Sequence, residues 1–223
     1  MSRRSRLLVF AACLLVLLVA AMGFAILWSQ CGPGFRNEVD RLAAVMELRP
    51  GMTGAEIGAG FGRMAVRTAQ HLGASGHLYV TEIEAKKLQA IKSAALAAGL
   101  TNIIVIPAGE HSANLPDSCC DFIYMRRVYH HLDDAAAINR TLYAALRPGG
   151  RLVIVDFISP RWMFFLHHGI ASDLLASQVT AAGFVLERQI DRWSPIDYCL
   201  VFRKQSAIRS RRWRDIALIV VQV

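Results

Sequence analysis

The chain has 223 residues, a net charge of +8 and an apolar content of 54%. Its length suits one domain of ordinary size with an additional segment. Residues 1–30 hold three arginines and no acid (+3), and residues 203–223 hold six basic residues and one acid (+5), so the segment between them is neutral. A nucleic-acid enzyme usually carries a basic face on its folded domain, so this distribution argues against a nucleic-acid partner and favours an anionic membrane surface. Solvated chain ends are the alternative explanation of the basic tails.

The first predicted element is an uncharged apolar run of 22 residues, Leu7–Trp28. As a helix it would measure about 33 Å, close to the roughly 30 Å of a bilayer core. We therefore predict an uncleaved, single-pass membrane anchor over residues 1–30. A cleaved signal peptide is the alternative, but the apolar region of such a peptide is normally about 7–15 residues long.

Residues 31–204 are predicted to form the folded domain, and residues 205–223 a basic and apolar tail. Strands are predicted at Thr53–Ile57, His77–Thr81, Asn102–Ile106, Asp121–Met125, Leu152–Asp156, Val185–Ile190 and Tyr198–Phe202. Helices are predicted at Phe35–Leu48, Arg63–His71, Ala85–Ala98, Asp134–Leu146 and Ala171–Ala182, and Arg147–Gly150 are predicted to end the fourth of them. This alternation predicts a mostly parallel sheet covered on both faces, and the short connection between the last two strands predicts that one of them is antiparallel.

A glycine-rich turn, Gly58-Ala59-Gly60-Phe61-Gly62, joins the first strand to its helix. Glycines allow backbone N–H groups to approach a ligand closely, and the helix N-terminus adds positive potential. A dinucleotide site would need a third glycine where Arg63 stands, which disfavours a nicotinamide cofactor. Glu82 ends the second strand, 20 residues after Gly62, where a carboxylate can accept both hydroxyls of a ribose. A tight structural turn and an exposed capping acid are the alternatives.

The chain resembles the class I S-adenosylmethionine-dependent methyltransferases of the small-molecule type, close to types 11 and 25. The matching stretches are AEIGAGFGRMAV at 55–66, LYVTEIE at 78–84, NLPDSCCDFIYMRRVYHHL at 114–132, LRPGGRLVIVDF at 146–157 and AAGFVLERQ at 181–189. The resemblance covers about residues 36–203. It implies a three-layer, Rossmann-like α/β fold with a doubly wound, seven-stranded sheet whose last strand is antiparallel.

The resemblance also implies which residues bind S-adenosylmethionine. Glu56 would contact the methionine amino group, Glu82 the ribose hydroxyls and Ile83 the adenine ring. The other implied cofactor-binding residues are Gly58, Ala59, Gly60 and Gly62 along the methionine and ribose, Glu110 and His111 near adenine, and Arg127 beside the methyl group. Phe61 and Arg127 depart from the residues common in the family. Phe61 is expected to crowd the cofactor, and the Arg126-Arg127 pair suits an acidic substrate.

Methyl transfer from the activated sulfonium of S-adenosylmethionine requires mainly that the methyl group and the acceptor are close and aligned. A hydroxyl or amine acceptor must also lose a proton. Three side chains that can accept a proton follow the fourth predicted strand: Tyr129, His130 and His131. We predict that they are catalytic. The alternative is that one histidine caps the next helix and the other packs. His168 is a weaker candidate, in an aromatic and basic insert at 159–168 that would cover an apolar substrate, touch a membrane interface or form an ordinary loop. The five cysteines show no metal-ligand spacing, so no metal is predicted.

We therefore expect a methyltransferase that acts on a small, apolar or membrane-resident, lipid-like molecule. The alternatives are a non-catalytic cofactor-binding module, supported by Phe61 and Arg127, and a nicotinamide-dependent reductase. Arg3, Arg4 and Arg6 predict a cytoplasmic N-terminus. One span would then place the domain outside, where S-adenosylmethionine is not normally supplied, so the sequence leaves the membrane face open.

Overall fold

The computed structural model describes residues 10, 13–21, 33–158 and 169–206. It divides into two compact units, residues 1–44 and 45–223. In the first unit residues 13–21 are helical, and helix α1 (Pro33–Met46) begins there. Among the described helices none is long and apolar enough to cross a bilayer. Most of the predicted anchor, the whole insert at 159–168 with His168, and residues 207–223 lie outside the described residues.

The second unit is built on a seven-stranded sheet with the order β3-β2-β1-β4-β5-β7-β6. Its strands are β1 (Thr53–Ile57), β2 (His77–Glu82), β3 (Ile103–Pro107), β4 (Cys120–Arg126), β5 (Leu146–Phe157), β6 (Phe184–Ile190) and β7 (Asp197–Lys204). Its helices are α2 (Arg63–Leu72), α3 (Ala85–Ala97), α4 (Ala135–Ala145) and α5 (Ser172–Ala181), with a 3₁₀ turn at Tyr129–His131. The first five strands pair in parallel, whereas β7 is antiparallel to both neighbours. The predicted fold with its antiparallel last strand is confirmed.

Strand burial explains why the central strands carry almost continuous apolar runs. The last four residues of β1 and Phe122–Met125 of β4 are buried, because helices cover both faces of a parallel sheet. Strand order reverses at β1, which pairs with β2 on one side and β4 on the other. Ligands of open α/β sheets bind at such a switch point, beyond the carboxyl ends of the strands.

Strand β5 begins six residues earlier than predicted, so Arg147–Gly150, which were expected to end the preceding helix, lie inside the strand, and the helix ends just before them at Ala145. Its pairing with β4 shifts between Cys120↔Leu146 and Phe122↔Arg151, and the extra residues bulge out of the ladder. Pro148, which has no N–H to donate, and Gly149, with a φ of 81°, lie in this bulge. A turn-like motif is therefore accommodated inside a strand.

Candidate functional site

A cavity of about 560 Å³ opens at the carboxyl ends of β1, β2 and β4. We call it the switch-point cavity. Small-molecule sites typically have volumes of roughly 300–1,000 Å³, so a nucleoside-sized ligand fits its size. Six residues predicted for the site line it: Gly58, Gly60, Glu82, Ile83, Arg127 and His131.

The glycine turn is constrained by its neighbours and opens onto the cavity. Gly58 has a φ of 68°, and a Cβ there would lie 2.7 Å from the Val128 side chain. Gly60 has a φ of 57°, and a Cβ there would meet nothing within 4 Å. The backbone N–H groups of Gly58 and Ala59 donate to the Thr81 carbonyl at 3.0 and 3.1 Å, which ties the turn to β2. The backbone at Gly60 is therefore accessible to a ligand.

The Glu82 carboxylate reaches back to the glycine turn. Its Oε2 accepts a hydrogen bond from Gly60 N at 2.9 Å, and its Oε1 accepts one from Ile83 N at 2.9 Å. Each carboxylate oxygen can accept a further hydrogen bond, so the group remains suited to a pair of hydroxyls. Ile83 is 62% exposed on the cavity wall and offers an apolar surface to a flat ring.

Thr81 is a cavity residue that the sequence analysis missed. It is fully buried and lines the cavity, and its Oγ1 has no hydrogen-bond partner among the described residues. An unsatisfied buried hydroxyl costs about 1–3 kcal/mol. Its position directly before Glu82 at a strand end was the available signal. The open space at Gly60 and the Glu82 carboxylate are therefore the features that suit the cavity to a polar ligand such as a nucleoside.

Glu56 lies outside the cavity lining, in a buried network beneath the glycine turn. The Tyr124 hydroxyl donates to its Oε2 at 2.8 Å and lies 3.0 Å from Thr68 Oγ1 of α2. Burial raises the pKa of Glu56 to about 8, although the Tyr124 hydrogen bond and the Arg126 charge lower it. The carboxyl is therefore mostly protonated at neutral pH. Its predicted contact with the methionine amino group stays a prediction.

Among the residues that the structure describes, four other predicted cofactor-binding residues do not line the switch-point cavity: Ala59, Gly62, Glu110 and His111. Glu110 and His111 are exposed, and Ala108 and Gly109 line the cavity from the same loop. Phe61 is 59% exposed and is also absent from the described lining. The crowding expected from Phe61 stays a prediction.

Arg127 is held on the cavity wall by a carboxylate that the sequence analysis did not predict. Its Nε and Nη2 donate to Asp197 Oδ1 and Oδ2 at 2.9 and 2.8 Å. Asp197 is buried at the start of β7 and also accepts a hydrogen bond from Ser194 Oγ at 2.6 Å. The guanidinium carbon lies 5.6 Å from the centre of the Phe157 ring. Because Asp197 compensates the Arg127 charge, the expected attraction of Arg126-Arg127 for an acidic substrate is weakened.

The three predicted catalytic residues occupy different environments. Tyr129 is buried, its hydroxyl accepts a hydrogen bond from Asn139 Nδ2 at 2.8 Å, and burial raises its pKa, which disfavours a role as base. The His130 side chain is 6% exposed, and its Nδ1 lies 2.7 Å from Asp156 Oδ1. His131 is exposed and lines the switch-point cavity. Asp156, buried at the end of β5, is a further residue that the sequence analysis missed.

Residues 55–154 match a family model described as a methyltransferase domain. The match covers 100 of the 223 residues, so the chain is similar to the S-adenosylmethionine-dependent methyltransferase family over a little less than half of its length. S-adenosylmethionine is the cofactor of this family.

Two curated relatives are similar to about half of the chain. It is 25% identical over 113 residues to the ubiquinone/menaquinone biosynthesis C-methyltransferase of Vibrio vulnificus, a match that covers 50% of the chain and 44% of the relative. It is 31% identical over 122 residues to the 27-O-demethylrifamycin SV methyltransferase of Amycolatopsis mediterranei, covering 53% of the chain and 43% of the relative. The matched part therefore spans less than half the length of either relative.

The fold is shared with a solved S-adenosylmethionine-dependent methyltransferase from Aquifex aeolicus. The TM-score is 0.66 at 20% sequence identity, over 74% of this chain and 88% of that chain. At this identity the likeness concerns the fold alone.

Proposed function

We propose that this chain transfers a methyl group from S-adenosylmethionine to a small acceptor molecule. The observation that carries the proposal is the 2.9 Å hydrogen bond between Gly60 N and the Glu82 carboxylate on the wall of the switch-point cavity. The carboxylate lies beside the accessible glycine backbone and is suited to ribose hydroxyls, and Ile83 offers an apolar surface suited to adenine, which supports the proposal. When bound, S-adenosylmethionine supplies an activated methyl group, so the chain mainly has to hold and orient two molecules.

An acceptor with a hydroxyl or amine group also has to lose a proton. His131 lines the switch-point cavity, and the rings of His130 and His131 lie 3.9 Å apart between centroids. We include both histidines as candidate proton acceptors. Buried Tyr129 is the weakest member of the predicted cluster.

The direct test is methyl transfer by the purified full-length chain. Methyl-labelled S-adenosylmethionine would be incubated with the chain and with small-molecule and lipid extracts of the source cells. Label is expected in an organic product with the wild type and with Asp117→Asn, which removes an exposed carboxylate. It should be lost with Glu82→Ala. Absence of label from every extract would count against the proposal.

The finer proposal concerns the membrane and the acceptor. The uncharged run Leu7–Trp28 supports a single-pass anchor, and the apolar lining residues Val128, Leu132 and Ile138 support an apolar or lipid-like acceptor. Alkaline carbonate extraction of membranes tests the anchor, because an inserted chain stays in the pellet and a peripheral one is released. Label in the aqueous rather than the lipid fraction would contradict a lipid-like acceptor.

The non-catalytic alternative is weakened by the structure. Its support was Phe61, which is absent from the described lining, and Arg127, which Asp197 holds at the wall. The nicotinamide-dependent reductase is not retained, since residues 55–154 match a methyltransferase model.

A further inference from the structure

A second cavity, of about 540 Å³, lies at the opposite end of the sheet from the switch-point cavity. It is lined by the segment before β1, by Asp121 near the start of β4 and by the bulge of β5. Within the described part of the chain, the two cavities have no lining residue in common. Four arginines line the second one, and we call it the arginine cavity: Arg49, Arg147, Arg151 and Arg203.

Two of these arginines are joined by one carboxylate. Arg151 donates from Nε to Glu187 Oε2 at 3.2 Å, and its Nη1 lies 2.6 Å from Glu47 Oε2. Glu187 also accepts a hydrogen bond from Arg203 Nε, and Arg203 Nη1 donates to the Gly149 carbonyl at 3.1 Å. These contacts hold both guanidinium groups at the cavity wall before a ligand arrives, which lowers the entropy cost of binding one.

Hydrogen-bond donors remain for a ligand after these contacts are made. Arg147 donates to Asp121 Oδ1 at 2.6 Å through Nη1 and to the Ser118 carbonyl at 3.3 Å through Nε. A guanidinium group has five N–H bonds, and within the described residues Arg147 and Arg203 each use two of them. Arg49 is exposed, and its side chain has no hydrogen-bond partner among the described residues.

The charges around the arginine cavity do not balance. Four arginines line it against two carboxylates, Glu47 and Asp121. A third carboxylate, Glu187, binds Arg151 and Arg203 from outside the described lining, and a positive surplus remains when it is counted. Arginine is not deprotonated in proteins, so this surplus is permanent. Because a concave site focuses the field of like charges, the cavity favours an anion.

We propose that the arginine cavity binds a phosphate group, carried by inorganic phosphate or by a lipid headgroup. Guanidinium groups form paired, charge-assisted hydrogen bonds with phosphate oxygens. A phosphate group offers several acceptor oxygens and up to two negative charges, which suits several arginines with unused N–H bonds better than a single carboxylate does. The site is separate from the switch-point cavity and does not depend on methyl transfer.

A phosphate group in this cavity would join parts of the chain that are distant in sequence. Arg49 precedes β1, Arg147 lies in the bulge of β5, and Arg203 lies near the end of β7. All three belong to the second unit, so the ligand would bind the folded sheet and not the unfolded chain. Such a ligand stabilises the fold, and phosphate is therefore expected to raise the melting temperature.

Calorimetric titration of inorganic phosphate into the purified full-length chain, in a phosphate-free buffer of low ionic strength, tests the inference. Saturable binding is expected, and added sodium chloride should weaken it because salt screens exposed charges. Arg49→Gln should weaken binding about threefold, the scale of one exposed ion pair. Glu47→Gln should instead strengthen it at least about twofold, since a lining carboxylate loses its charge. Arg67→Gln, at an exposed arginine of α2 outside the described lining, is the matched control and should bind as the wild type does.

Dibutanoyl phosphatidic acid, a water-soluble lipid that carries a phosphate group, distinguishes the two sources. Tighter binding than that of inorganic phosphate assigns a lipid headgroup, and equal or weaker binding assigns free phosphate. The inference is overturned if neither compound binds, or if Arg49→Gln and Glu47→Gln both bind inorganic phosphate as tightly as the wild type. The affinity for S-adenosylhomocysteine should stay within about twofold of wild type in both variants, because neither residue is in the described lining of the switch-point cavity. Failure of the phosphate site therefore leaves the proposed function standing.

Discussion

Replacing Glu56 by Gln tests whether the carboxyl beneath the glycine turn is protonated in the folded chain. The pKa of Glu56 is raised to about 8 from 4.5, mainly by burial. Because the folded pKa is the higher one, the carboxyl's contribution to stability is fully present below pH 4.5 and is lost as the pH rises towards 8. Between pH 6 and pH 9 this loss amounts to roughly 2–3 kcal/mol, at about 1.4 kcal/mol per pKa unit. Glutamine is uncharged like the protonated carboxyl, so Glu56→Gln does not lose this stability as the pH rises.

Thermal unfolding of both proteins at pH 6 and pH 9 measures the effect. From pH 6 to pH 9 the melting temperature of the wild type should fall by roughly 5–10 °C more than that of Glu56→Gln. This range follows from about 2–4 °C per kcal/mol for a chain of this size. Asp191→Asn, at an exposed carboxyl, controls for the loss of a charge. If the difference in melting temperature between Glu56→Gln and the wild type is the same at pH 6 and pH 9, Glu56 is ionised throughout this range and the reasoning is refuted. Tyr124→Phe should raise the Glu56 pKa further, because the Tyr124 hydrogen bond lowers it.

Substitutions at Gly58 and at Arg127 test contacts around the switch-point cavity. Gly58→Ala should destabilise the fold by about 1–3 kcal/mol in urea unfolding, because the new Cβ would lie 2.7 Å from the Val128 side chain. Adding Val128→Ala should restore part of the lost stability. If the double variant is no more stable than Gly58→Ala alone, the proposed clash is contradicted. Arg127→Ala should cost about 1–2 kcal/mol in the same assay, because it leaves the buried Asp197 carboxylate without its bidentate partner. Arg127→Lys should recover only part of this stability, since an ammonium cannot make both bonds in one plane, and full recovery would contradict that geometry.

Local patterns were sufficient to predict most of the second unit. The apolar runs of β1 and β4 and the glycine turn are signals carried by neighbouring residues, and these elements lie within one or two residues of their predicted positions. The start of β5 was wrong because Pro148 and Gly149 normally mark a turn, whereas here they occupy a bulge inside the strand.

The pairings that decide the chemistry of the site were not predictable in this way. Arg127 meets Asp197 across 70 residues of sequence, and His130 meets Asp156 across 26. Nothing near either residue along the chain encodes its partner, because the meeting is produced by the order of the strands. The unpaired hydroxyl of Thr81 is likewise visible only once the sheet is assembled.

Calorimetric titration of S-adenosylhomocysteine into the full-length chain tests the central claim most directly. Saturable binding at one site is predicted, weakened at least about tenfold by Glu82→Ala, since hydrogen bonds to a charged group are lost, and unchanged by Asp117→Asn. An absence of binding, or equal affinity in wild type and Glu82→Ala, would contradict the assignment of the switch-point cavity as the cofactor site.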